Sequence, residues 1–198
     1  MRSVYFPVIM LVLTVAACSG PAENPKYKNN PLPNSFEELK ISRKLSDINI
    51  PAHKATKINS ADNKAWYTFE FSSPFDFIID FTYQRVSFET IENTICRINL
   101  LFNHGDFNKL KNNIISKFGD PDQQCKSEIT PRIKHIDQNK QETFTTGQPY
   151  TLFSYKWVDK EITLQISKAQ DNDDFVVVSI YNANGGKIKA QTTCNRYK

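Results

Sequence analysis

Strict alternation of apolar and polar residues predicts β-strands along much of this chain. The clearest run covers residues 75–83, where five apolar side chains alternate with polar ones: Phe75, Phe77, Ile79, Phe81 and Tyr83. Alternation of this kind places every second side chain on one face of a sheet. Further strands are predicted at residues 66–71, 94–102, 150–158, 161–167 and 175–181. Short polar turns separate several of them, and this favours antiparallel pairing.

A helical period of apolar residues predicts one main α-helix, over residues 106–118. Its apolar stripe consists of Phe107, Leu110, Ile114 and Phe118, a spacing that places all four on one helix face. Asp106 suits the start of this helix, and Gly119 suits its end. A second, shorter helix is predicted over residues 36–44. There, Ser35 and Glu38 have the spacing of a capping box.

These elements together predict an α+β fold in which an antiparallel β-sheet packs against the helix at 106–118. A single amphipathic helix covers only one face of such a sheet. Residues 35–198 are enough for one domain with a hydrophobic core, and not for two. Residues 120–149 are polar and have no clear period. We expect a poorly ordered polar insertion there, with an extra hairpin as the alternative.

The first twenty residues have the composition of a secretory signal. Arg2 precedes an apolar run from Val4 to Leu13, which is too short for a transmembrane helix. The following Val15-Ala16-Ala17-Cys18 resembles the lipobox of bacterial lipoproteins. This resemblance implies that residues 1–17 are removed as a signal peptide and that Cys18 is acylated. Ser19, the residue after that cysteine, points to the outer membrane, with the protein facing the periplasm.

Residues 18–34 are predicted to form a lipidated cysteine followed by a flexible tether. The stretch after Cys18 is rich in Pro and Asn, and such composition does not bury enough apolar surface to offset the entropy of ordering. A random coil of this length would hold the domain a few tens of Å from the lipid.

Three cysteines remain if Cys18 carries lipid: Cys96, Cys125 and Cys194. An exported protein meets an oxidising compartment, so one disulfide is expected. The main helix should run antiparallel to the strand that begins near Cys96. Its end would then lie beside the start of that strand, a few residues before Cys125. Cys96–Cys125 is therefore the favoured pair. The alternative, Cys125–Cys194, would attach the C-terminal tail to the domain.

Composition and motifs exclude several classes of function. The formal net charge is +4, and no dense basic block alternates with aromatic residues, so nucleic-acid binding is disfavoured. The three histidines, His53, His104 and His135, lack metal-ligand spacing. The acidic run at 171–174 lacks the glycine and distal glutamate of a calcium loop. We therefore expect no metal, no cofactor and no catalytic set.

Three hypotheses of function follow. The first is a non-catalytic lipoprotein that binds another envelope protein, as an assembly accessory, an inhibitor or an immunity protein would. The second is a binder of an apolar ligand or lipid between the helix and the aromatic sheet. The third is a cell-wall or lipid hydrolase, which would need His104 or His135 beside an acid and a hydroxyl. Exposed aromatic residues such as Trp66 are further candidates for a contact surface.

Overall fold

The structure is a computed structural model that describes residues 24–51, 53–61, 63–70, 83–103, 107–130, 132–136, 142–169, 175–183, 185 and 191–196. Several sequence predictions lie outside these residues. They include the predicted acylation site Cys18, the strand at 75–83 apart from its last residue, the candidate His104, the predicted helix start Asp106, and the acidic run at 171–174.

The described part of the chain consists mainly of antiparallel β-strands. In chain order they are β1 (Ser35–Phe36), β2 (Leu39–Lys40), β3 (Ala55–Ala61), β4 (Lys64–Phe69), β5 (Tyr83–Ile91), β6 (Thr94–Asn103), β7 (Gln123–Ile129), β8 (Arg132–Ile136), β9 (Glu142–Thr146), β10 (Tyr150–Asp159), β11 (Ile162–Ala169), β12 (Phe175–Tyr181) and β13 (Gln191–Arg196). One helix, α1, spans Phe107–Phe118, and short 3-10 turns cover Pro25–Tyr27 and Leu45–Asp47. The predicted strands at 66–71, 94–102, 150–158, 161–167 and 175–181 are confirmed, with ends shifted by no more than two residues.

Nine of these strands form one sheet in the order β13-β7-β10-β11-β12-β6-β5-β4-β3. Every neighbouring pair is antiparallel. Two further pairs, β1–β2 and β8–β9, form separate two-stranded sheets. The prediction of an antiparallel sheet with one main helix is correct in outline, but the sheet dominates more than an α+β assignment implies.

Helix α1 packs its apolar stripe on one face of the nine-stranded sheet. Leu110 and Ile114 are fully buried, and α1 contacts β11. Facing them are the alternate side chains of the central strands: Val86, Phe88, Ile98, Leu100, Phe102, Trp157, Leu164, Ile166, Val176, Val178 and Ile180. The helix prediction over 106–118 therefore holds from Phe107 onward, and burial of this stripe against the sheet stabilises the fold.

The predicted helix over 36–44 is wrong, because β1 and β2 form a hairpin there. Phe36 pairs directly with Leu39 across this hairpin, so both side chains lie on one face and are buried. Apolar residues three apart satisfy a tight hairpin as well as a helix, which makes the pattern ambiguous. Glu37 adopts a positive φ of 47° in the turn. Glu37 and Glu38 form ion pairs with Lys54 where a capping box had been expected.

Residues 24–34 pack against the domain, contrary to the expectation of an extended tether through Asn34. Tyr27 and Leu32 are buried in the hydrophobic core. Asn24 caps the first 3-10 turn by accepting a hydrogen bond from the Lys26 amide, and its own side chain donates to the Val158 carbonyl. The average composition of this segment is polar, but two large side chains offer enough apolar surface to hold it.

The expected polar insertion at 120–149 contains regular structure. Residues 123–129 form β7, an interior strand of the sheet, and β8 pairs with β9 as the extra hairpin that was the alternative. Burial along β7 alternates, with Cys125 and Ser127 buried and their neighbours more exposed. Because the buried residues are not large hydrophobic ones, this strand gives no apolar period in the sequence.

Candidate functional site

The face of the sheet opposite α1 carries buried polar side chains, and we call it the polar face. Its residues alternate with the core residues along β5, β6, β11 and β12: Arg85, Ser87, Arg97, Asn99, Gln165, Ser167 and Ser179. Arg97, Gln165, Ser167 and Ser179 are each less than a tenth exposed. The same strands therefore bury an apolar layer on one side and a polar layer on the other.

A cavity of about 370 Å³ opens on this polar face. Five strands contribute to its lining, with β10 joining the four named above: Arg85, Ser87, Arg97, Asn99, Leu101, Tyr150, Leu152, Gln165, Ser167, Val177 and Ser179. These described lining residues include two arginines and no acidic residue. The cavity thus combines hydroxyl and amide groups with positive charge.

Hydrogen bonds between the lining side chains and Tyr181 hold the polar face in place. The Tyr181 hydroxyl donates to Gln165 Oε1 at 2.7 Å, and Gln165 Nε2 donates to Ser167 Oγ at 2.6 Å. Ser179 Oγ donates to Asn99 Oδ1 at 2.8 Å. Burial raises the pKa of Tyr181 to about 12, so its hydroxyl stays a donor even in moderately alkaline solution. Such a network has fixed rotamers and presents its remaining groups in one geometry.

Arg97 lies at one end of this network. Its Nε donates to the Gly185 carbonyl oxygen at 2.9 Å, and Nη2 donates to the same oxygen. The guanidinium carbon lies 4.7 Å from the centre of the Tyr181 ring, within cation–π range. Glu89 Oε1 lies 3.8 Å from Nε. The alternation of β6 predicted only that Arg97 would point away from the core, and nothing in the sequence indicated its burial.

The pKa of Lys156 is lowered by its surroundings at this part of the sheet. Burial and the nearby Arg97 guanidinium both lower its pKa. Lys156 pairs with Gln165 across β10 and β11, and its Nζ lies 4.0 Å from Cys194 Sγ. Both causes disfavour the charged form of the amine, because burial removes water from the charge and the guanidinium repels it.

The disulfide joins Cys125 to Cys194, and Cys96 is a buried free thiol. The favoured pair Cys96–Cys125 is therefore wrong, and the alternative is present. Cys125 and Cys194 are direct partners across β7 and β13, with Cα atoms 4.1 Å apart. The chain leaving α1 does not return beside β6, because β10, β11 and β12 lie between β7 and β6 in the sheet.

A β-bulge at Cys96 interrupts the alternation of side chains along β6. Glu89 pairs with Arg97, but the next residue, Thr90, pairs with Ile95. Cys96 is thus the extra residue, and Ile95 enters the core cluster instead. Burial raises the pKa of the Cys96 thiol to about 11, and Sγ contacts the Glu89 carbonyl oxygen at 3.4 Å. Bulges of this kind shift the alternation by one residue.

None of the other predicted candidates is among the described residues that line the cavity. His53 is exposed and His135 lies in the separate β8–β9 hairpin. Trp66 is half-buried in β4, next to the stacked pair Tyr67 and Phe88, whose ring centres are 4.7 Å apart. Within the described ranges, no group of three or more His, Cys, Asp or Glu residues is arranged to hold a metal ion. In the same ranges, no helix has both the length and the hydropathy of a membrane span.

A second cavity of about 480 Å³ lies between the N-terminal segment and the β10–β11 turn. Its lining includes Leu32, Asn34, Asp159, Lys160 and Glu161. Lys160 and Glu161 are exposed to water, and the charges are mixed. The cavity on the polar face is the better candidate because four of its polar lining residues are buried and its described charged lining residues are both arginines.

Comparison with known proteins does not assign the site. No protein-family model, no curated protein and no solved structure matches this chain.

Proposed function

We propose that this chain is a lipid-anchored protein of the bacterial envelope, and that its domain binds another envelope protein without catalysing a reaction. Acylation of Cys18 would supply the anchor, as the lipobox resemblance implies. The expected location is the outer membrane, facing the periplasm. The polar face is the proposed binding surface, and nucleic acid is not an expected partner.

The polar face is the observation that carries this proposal. Arg97, Gln165, Ser167 and Ser179 are buried beside a cavity on the side of the sheet that α1 does not cover. Burying polar groups costs free energy unless they are hydrogen-bonded, and it stabilises a fold less than burying apolar groups. Apolar residues such as Leu101, Leu152 and Val177 also line the cavity, but Arg97, Gln165, Ser167 and Ser179 are buried among them and hydrogen-bonded. Polar groups held around an open cavity are typical of a binding surface.

The packing of residues 24–34 supports a position close to the membrane. Only five residues, 19–23, separate Cys18 from Asn24, where the described domain begins. A fully extended segment of this length spans roughly 20 Å. The domain would therefore stay within about that distance of the lipid headgroups, which favours a partner that is itself at the membrane.

The two alternative hypotheses receive less support. An apolar ligand between helix and sheet would need space that Leu110, Ile114 and Ile166 already fill. A hydrolase would need a nucleophile with an acid and a base, but the described lining of the cavity brings together no histidine, cysteine or carboxylate. Serine hydroxyls are present there, but no base that could activate them is among the described lining residues.

Mass spectrometry and crosslinking test the proposal. The mature N-terminus should carry acyl chains on Cys18, and the Cys18→Ala chain should leave the membrane fraction. Chemical crosslinking in intact cells should then capture one envelope protein with the anchored chain, and much less of it with Cys18→Ala. An unmodified Ala or Ser terminus would contradict the anchor. Absence of a reproducible crosslinked protein would contradict the binding role.

A further inference from the structure

We propose that the cavity on the polar face binds an oxyanion, a carboxylate or phosphate, carried on a polar ligand. This inference rests on the proposed role of the polar face as the binding surface. The oxyanion would belong either to a free small molecule or to an acidic side chain of the protein partner.

The charge of the lining is the first argument. Arg85 and Arg97 both line the cavity, and its described lining contains no acidic side chain. Glu89 lies behind this lining, 3.8 Å from Arg97 Nε, so it offsets one of the two positive charges. Guanidinium groups bind carboxylate and phosphate oxygens through short, charge-assisted hydrogen bonds.

The size and chemistry of the cavity indicate what carries the oxyanion. A volume of about 370 Å³ falls within the range of roughly 300–1,000 Å³ that is usual for small-molecule sites. It is far larger than a carboxylate alone. Ser87, Asn99 and Ser167 line part of the remaining cavity and offer both donors and acceptors. Leu101, Leu152 and Val177 add apolar surface to the same lining. The body of the ligand is therefore expected to combine polar groups with an apolar face, like a sugar or a peptide.

The geometry is already formed before any ligand binds. Gly185 and the Tyr181 ring hold the Arg97 guanidinium from two sides, while the hydrogen bonds of Gln165 hold the neighbouring hydroxyl of Ser167. A site that does not need to order its side chains loses less entropy on binding. Burial, and to a lesser extent the same Arg97 guanidinium, lower the pKa of the nearby Lys156.

Titration of the full chain in detergent tests this inference with matched pairs of probes. Glucuronate should bind at least tenfold more tightly than glucose, and inorganic phosphate should compete with it. Arg85 is exposed at the mouth of the cavity, so Arg85→Gln should fold normally and weaken glucuronate binding about tenfold. Arg97→Gln should weaken it further. Arg43 is an exposed arginine outside the cavity, and Arg43→Gln is the matched control with unchanged binding.

The outcomes distinguish a free small molecule from a protein partner as the source of the oxyanion. They also distinguish failure of the oxyanion site from failure of the protein-binding role. Binding of glucuronate or phosphate that depends on Arg85 supports a free small ligand. A second outcome is that no probe binds, while Arg85→Gln abolishes the crosslink to the envelope protein and Arg43→Gln does not. In that case the oxyanion belongs to the partner. If neither occurs, or if glucose binds as well as glucuronate, the inference is wrong. Probe binding without any captured protein would overturn the protein-binding role alone.

Discussion

The Tyr27 hydroxyl donates a hydrogen bond of 2.5 Å to Asp122 Oδ2, which joins the N-terminal segment to the start of β7. The same oxygen accepts from the Val158 amide at 2.7 Å, and Lys26 Nζ lies 3.2 Å from the other carboxylate oxygen. Burial and the adjacent Asp122 carboxylate raise the pKa of Tyr27. Residues 26 and 27 are thus part of the fold. Under the proposed acylation of Cys18, this relationship would limit how far the domain stands from the membrane.

Substitution of Tyr27 should destabilise the domain in proportion to the contacts removed. Tyr27→Phe loses only the hydrogen bond, at about 1 kcal/mol, while Tyr27→Ala also loses a buried ring, at about 3–4 kcal/mol. Urea denaturation measures both free energies of unfolding. Lys28 is exposed, so Lys28→Gln is the control and should stay within about 0.5 kcal/mol of the original chain. Equal effects of Tyr27→Ala and Lys28→Gln would show that the segment is not packed.

Removal of the Cys125–Cys194 disulfide should lower the free energy of unfolding by about 4 kcal/mol. The two cysteines are 69 residues apart, and the loss of chain entropy in the unfolded state grows slowly with that separation. Cys194→Ser measures the effect by urea denaturation. In a Cys18→Ala background, thiol labelling should modify no cysteine in the native chain and only Cys96 after unfolding without reductant. Labelling of Cys194 under those conditions would contradict the pairing.

Alkaline pH should destabilise the domain through Cys96. The pKa of this thiol is raised from 9.0 to about 11 in the folded chain. Between these two values the unfolded chain loses the thiol proton and the folded chain keeps it, so the free energy of unfolding falls as pH rises from 9 to 11. Cys96→Ala should lose less stability over this range.

The comparison with Cys96→Ala isolates the thiol, because Tyr181 and Lys156 titrate in both proteins. Urea denaturation at pH 7 and at pH 10 gives the two differences in the free energy of unfolding. If the original chain and Cys96→Ala lose the same stability, Cys96 is not buried as described.

Gly185→Ala should destabilise the domain by about 1–3 kcal/mol through overpacking. A Cβ atom at this position would lie 2.2 Å from the Cys96 carbonyl oxygen and 2.8 Å from its carbon. Because Gly185 also supplies the carbonyl that Arg97 binds, the same variant should weaken binding in the cavity. Ser46→Ala, at an exposed site, is the control. A Gly185→Ala chain as stable as this control would contradict the close approach to β6.

The sequence predicted those elements in which large apolar residues recur at a regular spacing. Helix α1 and strands β6 and β12 are of this kind, since their inward residues are almost all apolar. Strand β7 gives no hydrophobic period because its buried residues, Cys125 and Ser127, lie on the polar face of the sheet, where Cys125 pairs with Ser154. The spacing of Phe36 and Leu39 fits a helix as well as a tight hairpin, and the sequence therefore predicts a helix where the structure has a hairpin.

The candidate site is formed by residues that are far apart in the sequence, so the pattern of apolar and polar positions along the chain does not reveal it. Arg97 and Gln165 come from strands separated in sequence and are brought together by the order of the sheet. Alternation predicted that polar residues would cover one face, but not that Gln165 would be buried. The disulfide was mispredicted for the same reason, because the position of β7 four strands from β6 follows from pairing over long sequence separations.

Site-specific photocrosslinking in intact cells tests the proposed binding surface most directly. A photoreactive amino acid at Ser87 would lie in the cavity on the polar face, and one at Ile58 would lie on the exposed edge strand β3. We expect the photoreactive amino acid at Ser87 to crosslink to one envelope protein, and the one at Ile58 to crosslink little or none of it. Equal capture from both positions, or capture from Ile58 alone, would contradict the polar face as the binding surface.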